Sequence, residues 1–370
     1  MTLEANVVHT GDCLEVLGEM PADSVHMAMT SPPYWQLRDY GHDDQLGLEP
    51  TADEYVENIA SVLDEVKRVL RPDGSLWLNL GDTYDDKDLQ QIPARVALEC
   101  QRRGWTLRNR VTWAKPNPMP NSVKDRLNTT TEAVFHLTPS KRYWYDLDAI
   151  REPHTSKAAK VQTQEERERR KGNLVSASPD RNDRSNGRSG GNTVTHPAGK
   201  NPGDVFEVTT KPFPDAHFAV YPPELCEKPI KATAPPQVCV KCGSPYEREV
   251  EREERGDNLG ERDDSRVHED SSANLAQAPN DWEPPETEFK GWTPTCDCET
   301  DATEPGVVLD PFAGAGTTLL KAKELGRRFV GIELNAEYAD MARARIGLSP
   351  NDPANVRDDD AQRGLEVFNP

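Results

Sequence analysis

Near the carboxyl end, the apolar run Val307–Leu309 meets Asp310-Pro311-Phe312-Ala313-Gly314-Ala315-Gly316-Thr317-Thr318, and a helical pattern follows at once. A strand, a glycine turn and a helix in direct succession point to an α/β layout, in which helices cover a largely parallel sheet. Glycines let the backbone turn tightly and approach a ligand, and the first N–H groups of the next helix, from Thr317 onward, are free to receive one. Glu333 ends the following strand pattern, where an acid can hold ribose hydroxyls. This is not a Walker A loop, because Thr317-Thr318 stand where Gly-Lys-Ser/Thr is required. An NAD site competes, but Leu319 occupies the place of its third glycine. The loop reads as a nucleoside-cofactor site, with a purely structural turn as the alternative.

The same rhythm runs through residues 1–150. Asn6–Thr10, Val25–Thr30, Ser75–Leu80, Leu107–Ala114 and Glu132–Thr138 read as strands. Between Asp53 and Arg71, apolar Tyr55, Ile59, Val62, Leu63, Val66, Val69 and Leu70 recur at helical spacing. Pro72-Asp73-Gly74 is expected to stop that helix, and a second is expected at Ile92–Arg103. Residues 151–204 are polar and basic, and read as a flexible loop with a short helix at Glu165–Lys171. Order is expected to return over 205–234, give way to an acidic insertion at 235–305, and resume over 306–348 before a loose tail at 349–370. In that last ordered stretch the helices are Thr317–Leu325 and Ala336–Ile346, with the strand Arg328–Ile332 between them.

Charge narrows the partners. With 44 Lys+Arg against 64 Asp+Glu the chain carries −20, which alone argues against a polyanion. The excess of carboxylates suits a salt-rich cytoplasm, where screening weakens their repulsion, and we read a halophilic source. The basic residues are nevertheless clustered. Arg102, Arg103, Arg108, Arg110, Lys115, Lys124 and Arg126 face one acid, Asp125, while residues 243–290 are strongly acidic. No apolar run reaches the roughly 18 residues of a membrane span, and the amino terminus lacks a secretory pattern. We therefore expect a cytoplasmic protein.

Seven cysteines are too few and too unevenly placed for a disulfide scaffold. Cys239-x-x-Cys242-Gly243 with Cys296-x-Cys298 can supply four thiolates to a structural zinc, in a knuckle that staples the acidic insertion; unligated thiols are the alternative. Cys13, Cys100 and Cys226 read as packed thiols.

Thr30-Ser31-Pro32-Pro33-Tyr34-Trp35 follows its strand directly. Two prolines cannot continue a hydrogen-bonded ladder, so the Ser31 hydroxyl and the Pro32 carbonyl can point into a cleft at the strand's carboxyl end. The competing reading is a strand-terminating turn with an exposed aromatic.

Together, TSPPYW and DPFAGAGTT resemble the motifs of S-adenosylmethionine-dependent amino-group DNA methyltransferases. Their order resembles the β class of those enzymes. Further similar pieces are Gly11–Leu17, Arg71–Asp82, Lys115–Arg126, Asn201–Phe206 and His217–Leu225. The resemblance implies a doubly wound, Rossmann-like sheet that is circularly permuted, with a target-recognition loop. It implies that Ser31 and Pro32 accept the hydrogen bonds of the target amine, and that Pro33 and Tyr34 complete the catalytic tetrad, with Tyr34 stacking on a flipped base. It implies Asp310, Gly314 and Gly316 around the methionine moiety and Glu333 on the ribose. Asp12 meets the adenine amino group, and Phe312 lines the pocket beside Thr317. His217 and Phe218 match a cofactor-proximal segment. Serine in the first tetrad position implies cytosine N4 rather than adenine N6, in a short target for which a CTAG-like sequence is one candidate.

Arg38, Arg108, Arg110, Lys115, Lys124 and Arg126 are the candidate DNA contacts, against the alternative of a solvated face; Trp35 and Tyr40 stand beside them. The partners implied are double-stranded DNA and a cognate restriction endonuclease. Two readings compete: an N6-adenine enzyme of the same fold, and a nonenzymatic zinc-bearing nucleic-acid-binding protein.

Overall fold

The computed structural model describes residues 3–39, 45–153, 199–210, 220–252 and 287–348. The expected helix at Glu165–Lys171, most of the basic loop, Tyr40, His217–Phe218, the middle of the acidic insertion and the tail lie outside the described residues. The chain divides into two compact units: Met1–Ile150 with Gly203–Glu247 and Trp292–Pro370, and Arg151–Pro202 with Arg248–Gly291. In the second unit, Glu152 and Lys200 form an antiparallel bridge.

The first unit is organised by an eight-stranded sheet. Its strands are β1 (Val7–Thr10), β2 (Val25–Thr30), β3 (Leu70–Leu80), β6 (Thr106–Ala114), β7 (Thr131–Thr138), β8 (Val205–Glu207), β13 (Val307–Asp310) and β14 (Arg328–Glu333). The spatial order is β1-β14-β13-β2-β3-β7-β6-β8. From β1 to β3 all neighbours are parallel; β7 runs antiparallel to both β3 and β6, and β8 is parallel to β6. Small accessory pairs are β4 (Tyr84–Asp85) with β5 (Asp88–Leu89) and β9 (Val238–Cys239) with β12 (Thr303–Glu304). A further ribbon joins β10 (Tyr246–Arg252) to β11 (Thr287–Pro294).

Parallel strands bury both faces, so their sequences are apolar throughout. Alternate residues then divide between two cores. Val7, Val25, Ala28, Leu76, Leu78, Leu309 and Ile332 pack with helices Cys13–Glu19, Ala52–Val69 and Ile92–Arg102. Val8, Met27, Met29, Trp77, Val308 and Phe329 pack with helices Pro223–Thr233, Thr317–Glu324 and Ala336–Ile346.

The Ala52–Val69 helix starts where Thr51 accepts the Glu54 N–H, with Asp53 and Glu54 in its first turn and Lys67 and Arg68 in its last. It does not end at Pro72-Asp73-Gly74 as the sequence suggested. The strand begins directly at Leu70, and those residues form an irregularity within β3, where pairing jumps from Val25↔Leu70 to Met27↔Ser75. The reason is local: Pro72 has no N–H to donate, and a Cβ at Gly74 would come 2.9 Å from the His26 carbonyl oxygen.

His136, on β7, is buried and stacks on Trp77, with ring centroids 4.4 Å apart, while its Nε2 meets the Ser75 hydroxyl at 3.1 Å. Burial, and secondarily the Arg108 charge, lower its pKa to about 3. The folded-state value lies below the unfolded one, so this stabilisation is present above about pH 6.5 and is lost as pH falls toward 3. Thermal unfolding followed between pH 7 and about pH 4 should therefore show a fall in Tm, shallower in His136→Gln than in wild type; equal slopes would remove His136 as a cause.

Candidate active site

Strands β1, β2, β13 and β14 all open toward the same edge of the sheet, the position at which parallel α/β sheets receive ligands. One cavity lies there. Its wall includes Gly11, Asp12 and Cys13 after β1, Ser31 and Pro33 after β2, Pro311 to Ala315 and Thr317 after β13, and Glu333 to Asn335 after β14. Leu46, Tyr221 and Tyr338 complete its apolar lining. Residues from the two ends of the sequence thus share a single crevice.

The glycine loop is held open from beneath. Glu333 Oε2 accepts the Gly314 N–H at 2.7 Å, and its Oε1 accepts the Asn335 N–H at 3.0 Å. Gly314 has φ +50°, and a Cβ there would meet nothing within 4 Å, so its backbone borders open space. Gly316 serves packing instead. At φ +73° it caps the next helix, and a Cβ would come 3.0 Å from Ala342 and 3.1 Å from Ile346. It lies off the cavity wall, as does Asp310. Asp310 is fully buried, its Oδ1 accepting from the Thr30 hydroxyl at 2.7 Å and the Phe312 N–H at 3.1 Å, its Oδ2 from Tyr221 at 3.1 Å. Burial raises its pKa. Asp12 lines the cavity and also caps the Cys13–Glu19 helix, accepting the Leu14 and Glu15 N–H groups through Oδ1. Thr317, on the wall, accepts from Arg345 at 2.8 Å.

The proline corner is pinned by its surroundings. Pro33 presents its carbonyl to the Tyr55 hydroxyl at 2.8 Å, and Trp35 donates to the Glu49 carbonyl at 2.9 Å. Pro32 is buried, and Tyr34 turns its ring edge to Gly81, where a Cβ would be 2.4 Å away. Ser31 Oγ donates to the Tyr34 hydroxyl at 3.1 Å, and that hydroxyl donates to Glu132 Oε2 at 2.8 Å. Asn79 Nδ2 lies 2.6 Å from the Tyr34 hydroxyl, 2.9 Å from Glu132 Oε2 and 3.3 Å from Ser31 Oγ. Lys115 closes the network on Glu132 Oε1. Burial, then the Glu132 charge, push the Tyr34 pKa well above its ordinary value, so it stays a neutral phenol.

Asn79, Glu132 and Lys115 in this role escaped the sequence reading. Glu132 lies 98 residues from Tyr34, so no local spacing could join them. Lys115, expected on DNA, is instead half-buried against Glu132 and stacked over Trp113 at 4.6 Å. Of the other basic candidates, Arg108 engages Tyr143 at 2.9 Å, and Arg126 covers the Tyr84 ring at 3.8 Å. Arg110 and Lys124 are exposed, and Arg38 is half-buried. Arg103 is turned inward onto Glu57, Asp64 and Glu99. Cys13 and Cys100 are buried thiols pushed up to about 12 by desolvation, and Cys226 is raised further still by the same cause, which suits packed, protonated groups.

Away from this cavity, the sulfurs of Cys239, Cys242, Cys296 and Cys298 all lie within 4.8 Å of one another. The four cysteines named as candidate metal ligands are thus close together, with Cys239 buried and Cys242 exposed.

The comparisons with known proteins agree with one another. The family model described as DNA methylase, of the N6/N4 type, matches residues 25–241 and 300–344. The type II methyltransferase M.SfiI of Streptomyces fimbriatus is 34% identical, over 90% of this chain and 88% of that protein. M.XycI of Xanthomonas campestris pv. cyanopsidis is 32% identical, over 94% of this chain and 89% of its own length. Among solved structures, the PvuII DNA methyltransferase (cytosine-N4-specific) superposes with a TM-score of 0.54 at 17% identity, covering 95% of this chain and 90% of that one, a likeness of fold. The chain belongs to the N6/N4 DNA methylase family.

Proposed function

We propose that this protein transfers a methyl group from S-adenosylmethionine to the N4 amine of a cytosine flipped out of duplex DNA, within a short target site. The observation that carries the reading is that Ser31 and the Gly314 loop line one cavity. The cavity residues fit the donor: apolar Phe312, Leu46 and Tyr338 for a flat base, the Glu333 carboxylate for ribose hydroxyls, and open backbone at Gly314. S-adenosylmethionine supplies an electrophilic methyl on a sulfonium. Every other contribution comes from the protein.

The exocyclic amine is a poor nucleophile, because its lone pair is delocalised into the ring. Ser31 has spent its own hydrogen on Tyr34, which has spent its hydrogen on Glu132. What Ser31 offers the crevice is therefore a lone pair, an acceptor for an amine hydrogen. With the Pro32 carbonyl as second acceptor, the amine is steered toward tetrahedral geometry, and positioning supplies the acceleration. No covalent enzyme intermediate is needed. Base flipping costs a few kcal/mol, least at an already distorted pair.

The neutral serine in the tetrad supports cytosine over adenine. The arrangement of β1 beside β14 supports a circular permutation of one methyltransferase sheet. With the methyl donor we propose a zinc ion on the four cysteines, with no part in methyl transfer. Exposed Arg110 and Lys124, with Arg38 and the residues over Tyr84 and Tyr143, are the proposed DNA contacts. With relatives named as type II methyltransferases, a cognate restriction endonuclease is the proposed partner, and the cytoplasm the proposed site of action. We read the −20 charge as adaptation to a saline cytoplasm.

Hydrolysis of methylated duplex to nucleosides should yield N4-methylcytosine; N6-methyladenine would move the reading to the adenine enzyme. Mapping the modified positions, with CTAG-like sites inspected first, reads the flanking bases. Ser31→Ala should lower the single-turnover methyl-transfer rate by roughly 100-fold while leaving donor affinity by calorimetry nearly unchanged. A matching loss of donor affinity would contradict the division of roles. Thermal stability should rise as KCl goes from dilute to molar concentrations, because screening relieves carboxylate repulsion; a flat response would remove the halophilic reading.

A further inference from the structure

We infer that the four-cysteine cluster is a zinc clamp that fixes the amino ends of the same strands whose carboxyl ends form the reaction crevice. The inference rests on the zinc assignment above, and not on the identity of the target base. Four thiolates give zinc a closed tetrahedral site with no position for water or substrate, the mark of a structural ion.

The first arm is a tight knuckle. Gly243 N–H donates to the Cys239 carbonyl at 2.8 Å, and Cys239 N–H to the Ser244 carbonyl at 2.9 Å. Gly243 adopts φ +69°, and a Cβ there would lie 2.9 Å from Arg71 Nη1. The turn therefore needs glycine both for its backbone and for the approach of that guanidinium. The second arm, Cys296-Asp297-Cys298-Glu299, has little apolar surface to hold it. Its described ties include Thr295 to the Pro245 carbonyl at 2.6 Å and Lys241 to the Glu299 carbonyl at 3.2 Å. A metal ion supplies the cohesion that burial does not.

The knuckle is gripped from the sheet by two side chains. Arg71, on β3, donates to the Cys242 carbonyl at 3.0 Å while Asp73 holds its other face at 3.0 Å. His26, on β2, accepts the Val307 N–H of β13 through Nδ1 at 3.1 Å. That fixes Nε2 as the donor, and it lies 3.0 Å from the Gly243 carbonyl. One ring therefore joins β2, β13 and the knuckle. The backbone adds a third tie, since β9 pairs with β12 at Thr303↔Cys239, and β12 leads through Pro305 into β13. From Val25 to Thr30, β2 spans about 16 Å, so the clamp and the crevice lie at opposite ends of the same short strands.

The test uses the full chain. Purified protein should hold one zinc per chain by elemental analysis, and cobalt exchanged into it should give the absorption of tetrahedral thiolate coordination. Dialysis against a strong zinc chelator should lower the wild-type Tm by several degrees, reversibly on adding zinc alone. In Arg71→Met and in His26→Gln, zinc should still bind, but its removal should lower Tm much less. Absence of metal with no cobalt spectrum, or a disulfide among the four cysteines, would overturn the site itself. Bound zinc whose removal shifts Tm equally in wild type and in both variants would overturn the clamp. None of these readouts depends on methyl transfer, so failure of the methyltransferase reading would leave them unchanged.

Discussion

A single buried hydrogen bond, from Thr30 Oγ1 to Asp310 Oδ1 at 2.7 Å, joins residues 280 positions apart. It ties the carboxyl end of β2 to that of β13, where the proline corner and the glycine loop begin. The carboxylate is fully buried, and its second oxygen is held by Tyr221. A carboxylate so enclosed is costly unless its lone pairs are filled. Here the filling is what makes the contact directional: neither corner can slide along its strand without stranding the acid. Arg343 performs a similar function at the edge of the sheet, donating from the last helix to the Val8 carbonyl at 2.7 Å and the Thr10 hydroxyl at 2.8 Å. Together these bonds bring the first and last strands into one crevice.

The regular elements were legible because their residues state their own periodicity. Val25–Thr30 is fully buried on both faces and reads as one apolar run, and the Ala52–Val69 helix shows its stripe, cap and end charges. The Pro72–Gly74 irregularity was not legible as part of a strand. Its sequence is that of a turn, and only the approach to the His26 carbonyl makes it a bulge. The same limit applies to the site. The glycine loop and TSPPYW announced a cofactor corner and a catalytic corner, but chemistry and support look alike in sequence. Asp310 ends β13 in a buried hydrogen-bond cluster and Gly316 packs against the last helix, whereas Glu333 and Gly314 face the cavity.

Charge followed the same rule. The Arg102–Arg126 stretch reads as basic in one dimension, yet Arg103 is bound to three acids and Lys115 to Glu132. Those partners, from 4 to 46 residues away, all fall outside the Arg102–Arg126 stretch itself. The more exposed of these pairs, such as Arg103–Glu57, contribute little singly, and salt weakens them. What remains for the proposed DNA contact is a smaller set of exposed cations, so shape and base contacts must supply more of the affinity as salt rises.

The Glu132–Lys115 pair has a further consequence for the proposed reaction. Tyr34 and Ser31 need an acceptor at the end of their hydrogen-bond chain, and a group unable to accept would leave the serine hydrogen free to rotate into the crevice. A lone carboxylate would fix it, but would also bring an uncompensated negative charge close to a cationic sulfonium, favouring the donor's ground state over its discharge. Lysine on the opposite oxygen cancels that field at a distance while leaving the near oxygen to hold the phenol. The network thus orients a neutral acceptor without charging the crevice, which suits the transfer of a methyl cation to a neutral amine.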